Sequence, residues 1–252
     1  MKKGIYILPN LFTTASLFAG VYSVVSSITG QFVHAAVAIP ISLILDGLDG
    51  RIARMTRTTS KFGVEYDSLA DLVAFGVAPA VLAYTWSLST YGRWGWLVAA
   101  LFVACGALRL ARFNIQITVI DSRFFNGLAI PAAALVVATT VMLYDYIGGT
   151  GPFHHPAILG GVIVLALLMV SNVKYYSFKD LNLFTREPFL SFILLVLLLI
   201  VVVAEPQVML FTFAVSYAFS GPLWLVFKML RRIRHGEAPK GEIGHEPSKP
   251  QT

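Results

Sequence analysis

Charged residues and cysteine are both scarce in this sequence. Only 13% of its 252 residues are charged, whereas soluble domains carry about 25%. The single cysteine, Cys105, lies in an apolar run, which makes an intrachain disulfide impossible and favours a packing role over a reactive thiol. Hydrophobic residues make up 57% of the chain, and the mean hydropathy is +0.74. These values exclude an ordinary soluble domain.

The short alternating segments of a membrane β-barrel are also missing. Instead, the sequence contains apolar runs close to the ~20 residues that a helix needs to cross a bilayer. We therefore predict an all-α, polytopic transmembrane bundle with both termini in the cytoplasm. Residues 1–230 should form one transmembrane domain and residues 231–252 a basic, disordered cytoplasmic tail. The prediction has about eight spans, at residues 8–28, 32–55, 62–86, 94–113, 127–147, 156–173, 188–204 and 207–229.

The positive charge follows a topology pattern rather than a nucleic-acid-binding pattern. The net charge is +6, and the basic residues sit in short segments between apolar runs. With the N-terminus placed in the cytoplasm, Arg93 is the one basic residue of 19 that falls outside. The sequence thus predicts an integral protein of a bacterial-type cytoplasmic membrane, without nucleic-acid binding.

Four aspartates stand at the ends of two neighbouring apolar runs. Asp46 and Asp49 are spaced i, i+3, and Asp67 and Asp71 are spaced i, i+4, so each pair projects from one helix face. Polar residues at 58–60 favour a short turn and a helix N-cap between the two runs. Carboxylates at membrane depth are costly and usually functional. An antiparallel helix pair would point both acidic faces at one volume.

This arrangement favours a divalent-metal site. Carboxylates without histidine or cysteine suit Mg²⁺ or Mn²⁺ better than zinc, and four negative charges can balance two dications, the usual clamp for phosphoryl chemistry. Pairing of the aspartates with nearby cations is the alternative, but it does not explain why small residues, Gly50 and Ala53, continue the stripe. The same cations would suit a phosphorylated substrate: Arg51, Arg54, Arg57 and Lys61.

The spacing of this segment resembles a known signature. The pattern Asp46-x2-Asp49-Gly50-x2-Ala53-Arg54-x8-Gly63-x3-Asp67-x3-Asp71 matches that of the CDP-alcohol phosphotransferase family in every defined position. The resemblance implies that a CDP-linked lipid gives its phosphatidyl group to an alcohol while CMP leaves. It assigns all four aspartates as metal ligands, with Asp71 also the catalytic base. It places Gly50, Ala53, Arg54 and Gly63 in the CDP-lipid pocket, and it suggests a homodimer.

The flanking sequence bears on which alcohol is used. Segments 8–23, 62–80, 107–114 and 125–134 resemble the serine-using branch of the family, the bacterial integral-membrane CDP-diacylglycerol–serine O-phosphatidyltransferases. One departure is Ala74, where serine is expected. The resemblance implies CDP-diacylglycerol and L-serine as substrates and phosphatidylserine as product.

Further binding residues are predicted with open alternatives. One of Arg109 and Arg112, with Arg112 the first choice, would bind the serine carboxylate in a bidentate fork, although both suit simple membrane anchoring. Asn10 and Thr13 would contact the nucleotide, although both suit helix capping. Rival functions are transfer to glycerol 3-phosphate, inositol or inositol phosphate, which calls for a denser basic pocket, and ion transport, which usually brings internal repeats and midplane carboxylates.

Overall fold

The computed structural model describes residues 7–56, 60–116, 124–176 and 204–234. It is mostly helical, which confirms the predicted all-α class in outline. Two helices, Ile130–Tyr146 and Pro156–Val170, are apolar but shorter than a full span. Five are long and apolar enough to cross a membrane: Pro9–Ile28, Phe32–Ala53, Lys61–Trp86, Arg93–Ile115 and Pro206–Phe227. The predicted span at 188–204 lies outside the described residues except for its last residue, so the count of about eight stays a prediction.

The first two helices, α1 (Ile7–Ile28) and α2 (Phe32–Thr56), form a closely packed hairpin. Gly30, with φ +78, makes the turn between them, where an L side chain would be strained. Inside the interface the hydroxyls of Ser16 and Ser42 lie 2.7 Å apart. Polar contacts of this kind hold membrane helices together where lipid supplies no hydrophobic drive.

The third predicted span is one continuous helical rod with a change of winding after Asp71. It comprises α3 (Lys61–Asp71), a π-helical turn (Leu72–Val77) and α4 (Ala78–Trp86). In the turn, Ala78 N–H donates to the carbonyl of Val73, five residues back. Pro79 follows directly and has no N–H to continue the normal ladder. Such turns inside α-helices are frequent at functional sites.

Glycine makes room for this turn against α1. A Cβ added to Gly20 would lie 2.7 Å from the Ala74 Cα, so only glycine allows this approach without a shift. Ala74 itself is fully buried. Alanine in place of the expected serine thus leaves no hydroxyl to satisfy in this tight, apolar contact.

A small β-ladder, absent from the sequence prediction, joins the ends of three helices. After α5 (Arg93–Gln116), strand β1 (Phe124–Asn126) pairs antiparallel with β2 (Lys174–Tyr176). Between the strands lie α6 (Ile130–Tyr146) and α7 (Pro156–Val170). The span predicted at 127–147 therefore begins late: Gly127 has φ +81 and donates to the Val173 carbonyl, which places it in the ladder's continuation.

The last helix, α8 (Pro206–Arg234), is longer than predicted. Its final residues, 231–234, continue the helix and do not belong to the predicted disordered tail, because no proline or glycine interrupts them. The remainder of the predicted tail lies outside the described residues.

Candidate metal and nucleotide site

The N-cap of α3 forms as its residue type predicts. Ser60 is the N-cap of α3, and its hydroxyl accepts a hydrogen bond from Gly63 N–H at 2.9 Å. Thr58 and Thr59 lie outside the described residues. The cap starts α3 at Lys61, nearly three turns before its last aspartate, Asp71.

Three of the four predicted metal ligands share one volume. One carboxylate oxygen from each of Asp46, Asp49 and Asp67 lies within 4.8 Å of the others. Asp49 is only 5% exposed. Asp71 lies on the same helix as Asp67, and its carboxyl group is close enough to that of Asp46 for the two to interact. The spacing of the aspartates in the sequence therefore does bring all four side chains together.

The donor set fits a hard divalent cation. It consists of carboxylate oxygens alone, as Mg²⁺ and Mn²⁺ prefer. The Asp67 Oδ1 atom is buried and has no hydrogen-bond partner within the described part of the chain. An uncompensated buried carboxylate oxygen is costly, and a bound cation would satisfy it.

A cavity of about 160 Å³ adjoins the carboxylates. It is lined by α1, α2 and α3 together, and Asp49 and Asp67 form part of its wall. Five of the residues predicted to bind the CDP-lipid line it: Asn10, Thr13, Gly50, Ala53 and Gly63. The sixth, Arg54, belongs to α2, but its side chain lies outside the described part. Small residues thus open the space that the sequence predicted for a ligand.

Gly63 shows how narrow this space is. A Cβ at this position would lie 3.1 Å from the Ser60 hydroxyl and 3.4 Å from the Asn10 Oδ1. The Asn10 amide therefore faces the α3 cap across the cavity. Its position agrees with a polar contact to a ligand and differs from that of a helix-capping residue, since α1 begins three residues earlier.

Thr13 makes a contact that the sequence did not predict. Its hydroxyl is 2.7 Å from the Asp49 Oδ2 and 3.2 Å from the Pro9 carbonyl. The hydroxyl has one proton to donate, and the shorter distance assigns it to the carboxylate. Thr13 therefore orients a predicted metal ligand. Only the packing of α1 on α2 reveals this pair, which is separated by 36 positions in the sequence.

The two predicted acceptor-binding arginines have different environments. The Arg112 guanidinium donates to the carbonyls of Val170 and Ser171 and to the Asn172 Oδ1, each at 3.2 Å. It therefore caps the carboxyl end of α7. Arg109 is 9% exposed. Its Cζ lies 5.2 Å from the centre of the Phe113 ring, and among the described residues it has no hydrogen bond or ion pair.

Asn114, in the same sequence segment as these arginines, links α5 to α3. Its amide donates to the Ser68 hydroxyl at 2.9 Å. Ser68 directly follows Asp67, so this bond fixes the distance between the arginine-bearing helix and the carboxylates. In the sequence, the only indication of this contact is a polar residue, Asn114, near the end of an apolar helix.

Comparisons with known proteins agree with this site. Residues 6–173 match the family model described as CDP-alcohol phosphatidyltransferase. The chain is 44% identical over 232 residues to the CDP-diacylglycerol–serine O-phosphatidyltransferase of Helicobacter pylori, covering 91% of this chain and 95% of that protein. It is 36% identical over 167 residues to the protein of the same name from Methanocaldococcus jannaschii, covering 66% of this chain and 76% of the relative.

An archaeal relative carries a different name. The archaetidylserine synthase of Methanothermobacter thermautotrophicus is 33% identical over 170 residues, which cover 67% of this chain and 69% of that protein. The family match extends over the carboxylate cluster, the cavity, both arginines and β1, and it ends just before β2. The chain is an integral membrane protein that belongs to the CDP-alcohol phosphatidyltransferase family.

Proposed function

We propose that this protein transfers the phosphatidyl group of CDP-diacylglycerol to the hydroxyl of L-serine, with release of CMP. The observation that carries the proposal is the meeting of the α2 and α3 carboxylates beside a cavity whose walls are the small residues of the family signature. Serine as the acceptor is supported by the name of a relative whose alignment covers 91% of this chain.

The four aspartates would hold two divalent cations, Mg²⁺ or Mn²⁺. Asp46, Asp49 and Asp67 supply oxygens close enough to share an ion, and Asp71 is in reach through Asp46. When bound, such ions would neutralise the pyrophosphate and stabilise the charge that develops on the leaving CMP.

The chain's own residues account for binding and proton transfer. The cavity walls, Gly50, Ala53 and Gly63, let the flat base and the phosphates approach the backbone closely, and Asn10 offers amide donors and an acceptor. Asp71 would take the proton of the serine hydroxyl as its oxygen attacks the lipid-bearing phosphorus. One P–O bond then forms to serine while the P–O bond to CMP breaks, so atoms and charge balance.

The acceptor carboxylate requires a cation with free donors. The Arg112 guanidinium donates its hydrogen bonds to the end of α7, whereas Arg109 is buried and makes no hydrogen bond to the described residues. A buried, unsatisfied guanidinium is an anion site. Of the two predicted arginines, Arg109 is therefore our choice for the serine carboxylate.

CMP release by the purified protein tests this function. With CDP-diacylglycerol and Mg²⁺ or Mn²⁺ present, release should require serine and should not respond to glycerol 3-phosphate, inositol or inositol phosphate. Arg109→Gln should raise the KM for serine by at least about tenfold and leave the KM for CDP-diacylglycerol unchanged. Release that depends on another acceptor would refute the serine assignment but retain the reaction class. Metal flux into liposomes without CDP-lipid would instead support a transporter.

The site is expected to face the cytoplasm in a homodimer. Both follow from the positive-inside pattern and the family resemblance. Lys61→Cys, next to the site, should react with a membrane-impermeant thiol reagent only in inside-out vesicles. Crosslinking in native membranes should give a band of twice the monomer mass.

A further inference from the structure

A larger cavity, of about 320 Å³, lies at the end of the helix bundle opposite the carboxylates. It is lined by the start of α2, the ends of α4 and α6, and the loop that follows α6. Phe32 belongs to its wall, and Asp46 comes 14 positions later on the same helix. At 1.5 Å per residue these positions are about 21 Å apart. The cavity is therefore separate from the site described above.

Aromatic rings form one wall of this cavity. Trp86 and Tyr144 both line it, and their ring centres lie 5.5 Å apart. The Phe153 ring packs against both, at 5.8 Å from Trp86 and 4.8 Å from Tyr144, and its N–H donates to the Trp86 carbonyl. Glycine at position 149 permits this packing, because a Cβ there would overlap the Tyr144 ring. The protein itself thus holds the aromatic wall in place.

The charge beside this wall is negative. Asp145, in the last turn of α6, is the one carboxylate among the described lining residues, and none of them is a lysine or an arginine. The carboxyl end of a helix carries a negative partial charge, and α6 has no basic residue in its last turn to balance it. Within the described part of the chain, the Asp145 side chain has no ion pair or hydrogen bond. A bound cation would offset both negative charges.

An organic ammonium group fits this combination of rings and charge. Ammonium groups are attracted to the faces of tryptophan and tyrosine rings, and a primary ammonium has three N–H donors for a carboxylate. A hard metal ion would need several oxygen ligands, whereas the described wall offers one carboxylate beside aromatic rings. The cavity therefore favours an alkylammonium group over an inorganic cation.

An apolar stripe on α2 leads away from this cavity. Val33 lines the cavity and is also the first of five exposed residues at helical spacing: Val33, Val37, Ile41, Ile44 and Leu48. Spacings of three and four residues place them on one helix face, within a segment long and apolar enough to cross a membrane. Such a face suits acyl chains. A ligand that uses both the cavity and the stripe has an ammonium headgroup and apolar chains, as a lipid does.

We propose that this cavity binds the ammonium headgroup of an aminophospholipid, with Asp145 as its anionic partner and Trp86 and Tyr144 as its aromatic wall. The phosphate of the lipid lies at the rim, where Gln31 and His34 supply polar side chains. Its chains follow the apolar stripe of α2. This binding site goes beyond the proposed function and does not depend on it, because the two sites lie at opposite ends of the helices.

Lipid binding to the purified protein, followed by native mass spectrometry, tests the proposal. Short-chain phosphatidylethanolamine should occupy one saturable site. Phosphatidylcholine with the same chains should bind at least about tenfold more weakly, because its trimethylated nitrogen cannot donate a hydrogen bond to Asp145. Asp145→Asn should weaken phosphatidylethanolamine binding by a similar factor. Glu205→Gln is the matched control: Glu205 binds the neighbouring Tyr146 hydroxyl but does not line the cavity, so this variant should bind like the wild type.

The lipid comparison on the wild-type protein decides the outcome without any variant. Equal binding of the two lipids would overturn the proposal, because apolar contact alone would then account for it. Binding that Asp145→Asn leaves unchanged, at an unchanged melting temperature, would also overturn it. O-phosphoethanolamine has the headgroup without the chains and should not compete; displacement of the lipid at equal concentration would exclude a lipid as the occupant. CMP release by the wild-type protein, measured separately, tests the proposed function alone.

Discussion

Replacement of Thr13 by valine separates two roles that this residue can have. Valine keeps the β-branched shape and removes the hydroxyl that lies 2.7 Å from the Asp49 Oδ2. Thr13 is 4% exposed and Asp49 is 5% exposed, so water cannot easily replace the lost donor. If the hydroxyl orients a metal ligand, the variant should bind metal more weakly. If it contacts the nucleotide, as the sequence alone predicts, the variant should bind CDP-diacylglycerol more weakly.

The expected size follows from two independent estimates. Groups that orient metal ligands contribute about 10- to 100-fold to metal affinity. A hydrogen bond to a charged group contributes about 1.5–3 kcal/mol, or roughly 10- to 150-fold at 1.4 kcal/mol per factor of ten. Both ranges start near tenfold. We therefore expect Thr13→Val to raise the half-saturating Mg²⁺ or Mn²⁺ concentration by at least about tenfold.

The assay is CMP release at saturating CDP-diacylglycerol and serine, titrated with metal. Thr13→Ser, which keeps the donor, should restore most of the metal affinity. Thr14→Val is the matched control, because the Thr14 hydroxyl donates to the Asn10 carbonyl at 2.7 Å and lies 2.9 Å from the Tyr66 hydroxyl. An unchanged metal requirement together with a raised KM for CDP-diacylglycerol would refute the orienting role and restore the nucleotide contact.

Three other changes test the site and its supports. Asp71→Asn should abolish CMP release without changing the melting temperature, whereas residual turnover near the wild-type rate would exclude Asp71 as the base. Gly20→Ala should lower the melting temperature, because its Cβ would clash with Ala74 Cα at 2.7 Å, while Gly160→Ala, with open space around it, should be neutral or stabilising by up to about 1 kcal/mol. Arg112→Gln should also lower the melting temperature, by removing the cap on α7, and a selective rise in the KM for serine with unchanged stability would instead make Arg112 a substrate ligand.

The signature predicted the centre of the site because helical spacing converts directly into a face. Two aspartates three or four residues apart share one side of a helix, and a short capped turn places two such helices antiparallel and in contact. The same helical spacing places the small residues Gly50, Ala53 and Gly63 on the cavity side of their helices. These features depend on short-range geometry, which a sequence records.

The contacts that support the site depend on long-range packing. Nothing near Thr13 in the sequence indicates Asp49, and nothing near Arg112 indicates that residues 170–172 will use its donors. The π-helical turn after Asp71 adds a residue to one turn without disturbing the apolar pattern, so periodicity could not detect it. The three-residue strands are too short to produce an alternating pattern.

Two prolines show how breaks in the helical ladder serve this fold. Pro79 lies just after the π-helical turn that follows Asp71, and Pro222 frees the carbonyl that Tyr175 binds. In a bilayer an unsatisfied carbonyl costs several kcal/mol, and at Pro222 another group supplies the missing donor. At Pro222 that group comes from the β-ladder, which Arg112 anchors to α5. The missing helical hydrogen bond at Pro222 thus connects the last helix, through the β-ladder, to α5, the helix that carries Arg109.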